Sequence, residues 1–328
     1  MILGWTALGI VALLLGIELS WALVTMPHVD WETYVDALGR LINGQGLYSP
    51  AQLSGSYVTM ATEWVGFVYP PLAAVLLAPL AIPVVGPAVW YGTSIGIFLT
   101  GLAALVRREA GHLLPWPLAV AFLPLLIIAP FWDGVITGNV NLLIVGLLAW
   151  SWAAPGRWIG PLAGVLAVVR IFPGSLAVQR VRATGWRGAL VPVGVAIGLV
   201  IVTLPIVGLN SWTDYATALT NAVPQCTKQV NSLVCALTPA MGAAVAEGTA
   251  MLLTAILLVG SLLVRNSLAS FTMITLVWVL PMPDLSPNYL LAVILPAYVV
   301  GARGYRKLIT HVPWQAAASS RREAPPRA

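Results

Sequence analysis

Long apolar runs with few or no charged residues recur along the whole chain of 328 residues. A helix of about 20 such residues is long enough to cross the roughly 30 Å of hydrocarbon in a bilayer. Only 8% of the residues are charged, too few to cover the surface of a soluble protein of this length. The net charge of +5 does not indicate nucleic-acid binding, because it is not spread over a polar face. The sequence therefore predicts a multi-spanning membrane protein.

We expect an all-α fold: a polytopic transmembrane helical bundle of about ten spans, whose first outer loop carries short amphipathic helices. The predicted spans lie near residues 3–24, 70–85, 88–106, 114–131, 139–154, 158–178, 188–208, 239–263, 267–282 and 287–302. The first span has no positively charged start and no clear cleavage site, which favours a retained anchor helix over a removed signal peptide. Residues 1–302 are thus predicted to form one membrane domain, and residues 303–328 a basic, disordered cytoplasmic tail.

The basic residues predict the orientation, because cytoplasmic loops are enriched in Lys and Arg. They cluster in short loops and at the C-terminal end, as Arg180, Arg182, Arg187, Arg265, Arg303, Arg306, Lys307, Arg321, Arg322 and Arg327. Ten spans with both termini in the cytoplasm place these residues on the inner side of a plasma (inner) membrane. The loops 25–68 and 209–238 then lie outside. Arg107 and Arg108 also fall on the outer side, as the one exception to the rule.

The two cysteines, Cys226 and Cys235, lie nine positions apart in the second outer loop. An oxidising exterior favours a disulfide between them, and a pair of free thiols is the alternative. No C-x-x-C motif or histidine cluster indicates a metal site. His28 and His112 are single and unclustered, so both are predicted to be solvated loop residues.

Acidic residues are concentrated in the first outer loop, which holds four of the eleven: Asp30, Glu32, Asp36 and Glu63. If residues 30–42 form a helix, Asp30 shares one face with Tyr34. A partly desolvated carboxylate at the membrane interface suits a general base that acts on an acceptor hydroxyl. Capping of the helix N-terminus by Asp30 is the alternative.

Several short motifs follow one another in order along the chain. They are Asp30-x-x-x-Tyr34-x-x-Ala37, then Gly44, Tyr48 and Tyr69-Pro70-Pro71, then Gly138-Asn139-Val140-Asn141, Val169-Arg170-Ile171-Phe172-Pro173 and Ser286-Pro287-Asn288-Tyr289-Leu290. Their order and spacing resemble the GT-C membrane glycosyltransferases, in particular glycosyltransferase family 87. That family includes actinobacterial mannosyltransferases that use polyprenyl-phosphate-mannose. The resemblance covers most of the chain.

Three positions depart from the motifs of the family. Asn139 stands where the family has Gln in Gly-Gln-x-Asn, Arg170 where it has Lys in Lys-x-x-Pro, and Asn288 where it has His in Ser-Pro-His-Tyr-Leu. Asn288 cannot ionise, which puts any proton or phosphate role of that histidine in question. Arg170 keeps the positive charge, and its guanidinium group can bind a phosphate through two N–H groups.

The resemblance implies inverting transfer of a sugar from a polyprenyl-phosphate donor to an extracytoplasmic cell-envelope glycolipid or polysaccharide. Mannose is favoured, with arabinose and glucose as alternatives. No glycine-rich phosphate loop and no cytoplasmic domain for a sugar nucleotide is visible, so we expect a donor that arrives within the bilayer. Its phosphate is already the leaving group, and one carboxylate base suffices for a single inverting displacement. No cofactor is expected, and the metal requirement stays open.

Asp30 is the predicted catalytic base. The predicted substrate-binding residues are Tyr34, Arg40, Tyr69, Asn139, Asn141, Arg170, Lys228, Asp284, Ser286, Asn288 and Tyr289. Tyr69 also suits an interfacial aromatic belt, Asp284 a cap of the last span, and Arg170 a buried ion pair. Asp133 is predicted only as the N-cap of the following span.

The ten-span prediction conflicts with one part of this site. It places Asn139 near the inner face and Arg170 in the inner half of the membrane, away from Asp30. Either residues 114–131 form a re-entrant pair of half-helices, or the motifs around Asn139 and Arg170 lie outside the active site.

A secondary transporter or lipid flippase is the main alternative function, because Glu18, Glu247 and Arg170 fall inside predicted spans. Such proteins usually contain paired repeats and ionisable groups at the midplane of the membrane, and no repeat is visible here. A structural subunit of an envelope complex is a third hypothesis. It would not require the acidic outer loop.

Overall fold

The protein is almost entirely α-helical, as predicted. The computed structural model describes residues 2–26, 28–58, 66–78, 82, 85–111, 115–154, 156–223, 226, 232–282 and 286–311. Within these ranges the chain forms fifteen α-helices, four short 3-10 segments and one pair of two-residue β-strands.

The helices occupy most of the described chain. In order they are α1 (Ile2–Thr25), α2 (Val29–Ile42), α3 (Pro50–Leu53), α4 (Pro71–Leu77), α5 (Val85–Ala110), α6 (Pro115–Phe122), α7 (Ala129–Thr137), α8 (Asn141–Ala153), α9 (Gly156–Val169), α10 (Ala177–Thr184), α11 (Leu190–Asn221), α12 (Leu233–Met241), α13 (Ala243–Leu263), α14 (Ser267–Val279) and α15 (Leu290–His311). The 3-10 segments lie at Leu123–Leu126, Phe172–Leu176, Trp186–Ala189 and Pro287–Tyr289. Strands β1 (Tyr57–Val58) and β2 (Ala222–Val223) pair in parallel.

Four helices of the described chain are long and apolar enough to span a membrane: α1, α5, α13 and the helical segment Trp186–Asn221 that contains α11. A bent pair, Pro115–Leu126 with Ala129–Thr137, makes a fifth if it counts as one span. Other predicted spans are shorter than expected, since α8 and α14 have 13 residues each. Such a helix is only about 20 Å long. The membrane architecture is therefore supported, whereas the count of ten spans is not confirmed.

Helices α5 and α8 cross in direct backbone contact through glycine. A β-carbon added at Gly146 of α8 would lie 2.6 Å from the backbone N and Cα atoms of Phe98 on α5. A β-carbon added at Gly101 of α5 would in turn overlap the carbonyl group of Gly146. Small residues are what allow two helix backbones to approach so closely inside a membrane.

Gly146→Ala is therefore expected to force α5 and α8 apart and to lower the melting temperature in detergent, at a cost of about 1–3 kcal/mol. The matched control is Gly92→Ala on α5, where an added β-carbon meets no atom within 4 Å. Thermal unfolding of the two purified variants checks the prediction. Equal melting temperatures would contradict the direct contact.

Contacts between helix ends gather basic residues at one end of the bundle. Glu109 in the last turn of α5 forms an ion pair with Arg303 of α15, with 2.5 Å between Oε2 and Nε. Trp152 at the end of α8 donates a hydrogen bond to Glu109 at 2.7 Å and packs against the tilted ring of Phe271 on α14, with ring centroids 4.7 Å apart. Arg182 of α10 donates to the carbonyls of Val264 and Arg265, which precede α14. We call this end of the bundle the basic end.

Arg107 and Arg108 lie at the basic end, beside Arg303, whereas the ten-span prediction placed them at the opposite end. Trp90 near the start of α5 donates to the carbonyl of Gly138 at 2.9 Å, next to the predicted site residue Asn139. Arg108 follows Trp90 by 18 positions on the same helix, which corresponds to about 27 Å. The two arginines therefore lie far from Asp30 and beside the other basic residues. The predicted exception to the orientation rule was wrong.

The error came from counting residues 70–85 as a full span. Helix α4 has only seven residues, or about 10 Å of length. Tyr69 before α4 and Trp90 in α5 both lie beside Tyr34 of α2, with ring centroids 5.4 and 5.9 Å away. The chain between them therefore returns to the end of the bundle at which it started.

The two predicted outer loops pack on each other. The first contains α2 and α3, the short helices that the sequence predicted. The second begins where α11 kinks at Gly208, whose φ of 75° is accessible mainly to glycine. Asn221 at the end of α11 donates to the carbonyl of Gln52 at 3.0 Å, and β2 pairs with β1.

Two further sequence predictions concern chain segments near the ends of these elements. Cys226 and Cys235 form a disulfide with Cα atoms 4.9 Å apart, so that prediction is confirmed and the free-thiol alternative is wrong. The disordered tail was predicted to begin at residue 303, which is too early, because α15 continues to His311. Residues 303–311 are therefore helical, and residues 312–328 lie outside the described chain.

Candidate functional site

Asp30 lies in the first turn of α2, so the helix on which the sequence argument for residues 30–42 depended is present. The N-cap position belongs to His28, whose side chain makes no capping hydrogen bond. The Asp30 carboxylate instead accepts a hydrogen bond from the amide of Asn139, 109 positions away, at 2.7 Å. The capping alternative for Asp30 was therefore wrong.

The turn between α7 and α8 brings Asn139 to Asp30. Helix α7 ends at Gly138, whose φ of 70° is a left-handed conformation that glycine adopts without strain. A side chain at Gly138 would overlap the Tyr91 hydroxyl group and the β-carbon of Trp31. A 69° bend between Pro115–Leu126 and Ala129–Thr137 directs this turn towards α2. The structure thus contains a bent pair of short helices here, and the predicted separation of Asn139 from Asp30 was wrong.

A chain of hydrogen bonds through three asparagines connects Asp30 to a second carboxylate. Asn139 accepts a hydrogen bond from the backbone N–H of Asn141 at 2.9 Å. The Asn141 amide donates to Asn288, and the Asn288 amide donates to Asp133 at 2.6 Å. Asn141 and Asn288 are fully buried (0% exposed). Because buried amides are costly without partners, this chain of hydrogen bonds specifies a single arrangement of the site.

Asp133 anchors the segment that precedes α15. It was predicted to cap the N-terminus of the following span. Asp133 instead lies inside α7, so that prediction was wrong. One oxygen of its carboxylate accepts from the Ser286 hydroxyl at 2.6 Å and from the backbone N–H of Asn288 at 3.1 Å. The motif that carries Asn288 and Tyr289 is therefore tied to the same helix that leads to Asn139.

Arg170 lies beside this chain of hydrogen bonds. Its Nη1 donates to Asn141 Oδ1 at 2.8 Å, and its Nη2 donates to the Tyr289 hydroxyl. The guanidinium carbon lies 4.5 Å from the centroid of the Tyr289 ring and 5.2 Å from that of Tyr69. Among the described residues, no carboxylate lies within 4.0 Å of this group. Neutral partners thus hold the positive charge, which favours an anion-binding role over the buried ion pair.

The position of Arg170 follows from a short helical hairpin. Arg180 of α10 donates to the carbonyl of Gly156 at the start of α9, at 3.1 Å. The chain therefore enters along α9, turns after Val169 and returns along α10. Residues 158–178, predicted as one span, therefore do not form one straight helix: they contain α9 and the turn of this hairpin, and Arg170 lies at the turn. Its predicted separation from the rest of the site was wrong.

Tyr34 and Tyr69 form the aromatic wall of the site. The Tyr34 hydroxyl donates to the Tyr69 hydroxyl at 3.1 Å and accepts from the backbone N–H of Val140 at 3.2 Å. The Tyr48 hydroxyl donates to the Tyr69 carbonyl at 2.6 Å. Tyr69 therefore belongs to the polar network, and its predicted interfacial alternative does not describe its contacts.

An apolar cavity of about 150 Å³ adjoins this wall. Tyr34 and Tyr69 line one side of it, and the other lining residues are Ala73, Leu76, Leu77, Trp90, Thr93, Val140, Leu143 and Val169. Val169 directly precedes Arg170. The cavity thus lies next to the cationic group, with an almost entirely apolar surface.

The electrostatic surroundings of Asp30 favour proton acceptance. Burial of the side chain, which lies outside the membrane-spanning helices, raises the pKa of its carboxyl group above the usual value of an aspartate. Hydrogen bonds from Asn139 and Thr137 oppose this shift, the negative charge of Asp133 adds to it, and Arg170 opposes it. A carboxylate with a raised pKa is a stronger base than a solvated one.

Of the predicted binding residues that the structure describes, Arg40 does not join this network. Arg40 forms an ion pair with Asp36 and donates to the carbonyl of Leu47 at 2.8 Å, so its contacts lie in α2 and the turn that follows. Lys228 and Asp284 lie outside the described residues. The other predicted residues that the structure describes, from Tyr34 to Tyr289, are connected through the hydrogen bonds and the arginine–ring contacts given above.

Two residues of the site region had not been predicted for it. His28 is not a solvated loop residue, because its ring nitrogens lie 2.6 Å from the Tyr91 hydroxyl and 3.2 Å from the Leu23 carbonyl. It therefore links the ends of α1 and α5. Asp133 could have been recognised from the sequence, because it is the only acidic residue between Glu109 and Asp214. An isolated acid within apolar helices is a candidate functional residue.

Asn288→Asp is expected to destabilise the site, because it replaces the amide that donates to Asp133 with a second carboxylate. The cost should be at least about 1–3 kcal/mol for the lost buried hydrogen bonds, seen as a lower melting temperature. Asn266→Asp is the matched control, since Asn266 caps α14 by accepting two backbone N–H groups and aspartate does the same. Equal melting of both variants would contradict the Asn288–Asp133 contact.

The family model of glycosyltransferase family 87 matches residues 67–295, which is more than two thirds of the chain. The matched segment includes Tyr69, Asn139, Arg170 and Asn288, whereas α2 with Asp30 precedes it. The chain has no significant match among curated proteins or solved structures.

Proposed function

Because the chain belongs to glycosyltransferase family 87, a family of GT-C type, we propose that its site transfers mannose from a polyprenyl-phosphate donor to an extracytoplasmic acceptor. The family makes the protein a glycosyltransferase, and its apolar helices indicate a membrane protein. The proposed acceptor is a hydroxyl group of a cell-envelope glycolipid or polysaccharide. One observation carries the proposal: Asp30 and Arg170 lie at the two ends of one hydrogen-bonded path through Asn139 and Asn141.

The cavity beside Arg170 suits the lipid part of the donor. Tyr69 both lines the cavity and contacts the Arg170 guanidinium group, and Val169 links the two along the chain. An isoprenoid chain that enters this cavity therefore places its phosphate at Arg170. Two N–H groups of one guanidinium can bind a phosphate together. The partners of Arg170 among the described residues are neutral, so none of them neutralises its charge.

Asp30 acts in this proposal as the base for the acceptor. Its carboxylate takes the proton of the acceptor hydroxyl while the hydroxyl oxygen forms a bond to the anomeric carbon of the sugar. The bond from that carbon to the phosphate oxygen breaks, and its electron pair leaves with the polyprenyl phosphate. A single displacement inverts the anomeric centre. Arg170 stabilises the charge that develops on the phosphate.

We propose that Asp30 faces the extracytoplasmic side of the plasma (inner) membrane and that the basic end, with the C-terminus, lies in the cytoplasm. The gathering of arginines at the basic end supports this orientation. The disulfide in the second outer loop supports it too, because the exterior is oxidising.

Labelling of single added cysteines tests this orientation. A membrane-impermeant maleimide applied to intact cells is expected to label Glu32→Cys, an exposed position on α2, and to leave Arg187→Cys unlabelled. The native disulfide does not react. The reverse pattern would place the site in the cytoplasm.

The two glutamates that favoured a transporter do not support that alternative in the structure. Glu18 and Glu247 are exposed on α1 and α13, on the outside of the described bundle. They do not form an ionisable site at its centre, as the alternative requires.

Transfer of a labelled sugar from donor to acceptor distinguishes the glycosyltransferase from the transporter. Membranes containing the protein, incubated with labelled polyprenyl-phosphate-mannose and cell-envelope glycolipid, should transfer label to the acceptor with an inverted anomeric configuration. Membranes without the protein provide the control, and arabinose- and glucose-linked donors test the choice of sugar. Movement of intact labelled donor across the membrane, without transfer, would instead support the transporter.

A further inference from the structure

A groove between α5 and α8 opens on the outside of the bundle near the basic end. It has a volume of about 590 Å³. Ala103 and Ala104 of α5 line one side, and Trp150 and Ala153 of α8 line the other. Three of these four residues are alanines, so most of this part of the wall is small and apolar. We call it the α5–α8 groove.

Two arginines lie at the end of the α5–α8 groove. Arg107 and Arg108 both line it, in the last turn of α5, and both side chains are exposed. Within the described part of the chain, neither lies within 4.0 Å of a carboxylate. The adjacent acid, Glu109, is already bound to Arg303 and Trp152. The groove therefore ends at two positive charges with no nearby described acid to balance them.

The arrangement of these groups matches the depth profile of a phospholipid. Ala103 and Ala104 lie one turn before the arginines, on the side towards the middle of α5. The indole of Trp150, 40% exposed, occupies the same wall, and tryptophan is enriched at the level of lipid headgroups. A charged end and an apolar wall in this order suit a phosphate with an attached acyl chain.

We propose that the α5–α8 groove binds an anionic phospholipid of the leaflet at the basic end. Its phosphate lies between Arg107 and Arg108, whose guanidinium groups donate N–H bonds to the phosphate oxygens. One acyl chain lies along the alanines and Trp150. This site is distinct from the catalytic site, because about 27 Å of α5 separates Arg108 from Trp90.

Lipid retention by the purified full-length protein tests the proposal. In native mass spectrometry, phosphatidylglycerol should bind more tightly than phosphatidylcholine with the same acyl chains. The double variant Arg107→Gln/Arg108→Gln should weaken phosphatidylglycerol binding about thirtyfold, as expected for two basic residues at a lipid surface, and leave phosphatidylcholine unchanged. Arg187→Gln, at an exposed arginine that stacks on Trp186 outside the groove, is the control and should bind like the wild type.

A competition arm distinguishes a lipid from a free anion. The water-soluble glycerophosphoglycerol headgroup, which lacks acyl chains, should fail to displace bound phosphatidylglycerol. Displacement by the headgroup at equal concentration would overturn the proposal, because the apolar wall would then contribute nothing. Equal retention of both lipids, unchanged binding by the double variant, or an equal loss in Arg187→Gln would also overturn it. Thermal unfolding of each variant verifies that it is folded.

Discussion

Asp30→Asn is expected to reduce sugar transfer by roughly 10²- to 10⁴-fold, the usual contribution of a general base. The asparagine has the same shape and can still accept the hydrogen bond from Asn139, so the protein should remain folded. The affinity for the donor should change little, because Arg170 and the apolar cavity are untouched. Initial rates at matched membrane expression, with varied donor concentration, measure both quantities.

Glu32→Gln is the matched control for this substitution. Glu32 lies on the same helix two positions away, its side chain is exposed, and the change again turns an acid into an amide. It should transfer sugar at the wild-type rate. If Asp30→Asn were as active as Glu32→Gln, another group would have to be the base, although the family and its glycosyltransferase activity would stand.

The pH dependence gives a second test of Asp30. Burial raises the pKa of its carboxyl group, and only the ionised form accepts a proton. Transfer should therefore fall as the pH decreases through this raised pKa, at a higher pH than an ordinary aspartate would produce. Glu32→Gln should show the same decline. The residual activity of Asp30→Asn should lack it.

Arg170→Gln is expected to lower the turnover number by roughly 10²- to 10³-fold and to raise the KM for the donor, because it removes the charge that stabilises the leaving phosphate. The turnover number of Arg170→Lys should lie between those of Arg170→Gln and the wild type. Lysine keeps the charge, but as a compact point charge it does not reproduce the fork that binds Asn141 and Tyr289 together. Donor titrations of both variants separate turnover from binding.

Arg187→Gln is the control for loss of one arginine, since Arg187 lies next to an exposed tryptophan at the basic end. It should not affect transfer. Equal activity of Arg170→Gln and Arg187→Gln would exclude Arg170 from donor recognition. Equal inactivity of the lysine and glutamine variants would show that the geometry of the guanidinium group, and not only its charge, is required.

Sequence patterns were informative where the determinants are local. Short amphipathic helices were expected in the first outer loop, and α2, which carries Asp30 and Tyr34, is one of them. The disulfide followed from two cysteines nine positions apart and from the expected compartment. His28 and Asp133 were misjudged, because the hydrogen bonds that define them join positions far apart in the chain, such as His28 with Tyr91 and Asp133 with Asn288.

Span prediction failed at α4 and α9 for a related reason. Hydropathy shows that a segment is apolar, but it does not show whether the segment crosses the membrane or turns back. Helix α4 ends after seven residues, and α9 is followed by the hairpin that carries Arg170. The error at α4 moved Arg107, Arg108 and Asn139 to the wrong ends of the bundle. The hairpin after α9 cancelled it, so the basic residues that follow, from Arg180 to Arg303, lie together at one end, as predicted.

The apolar runs by themselves determined that this chain enters a membrane, and the order of its motifs indicated its family, because both properties depend only on residue type and spacing. The tertiary structure alone decided that Asn139, Arg170 and Asn288 meet Asp30. That convergence depends on the 69° bend before α7, the left-handed turn at Gly138 and the hairpin after α9. Packing between distant helices stabilises all three, and neither hydropathy nor motif spacing contains that information.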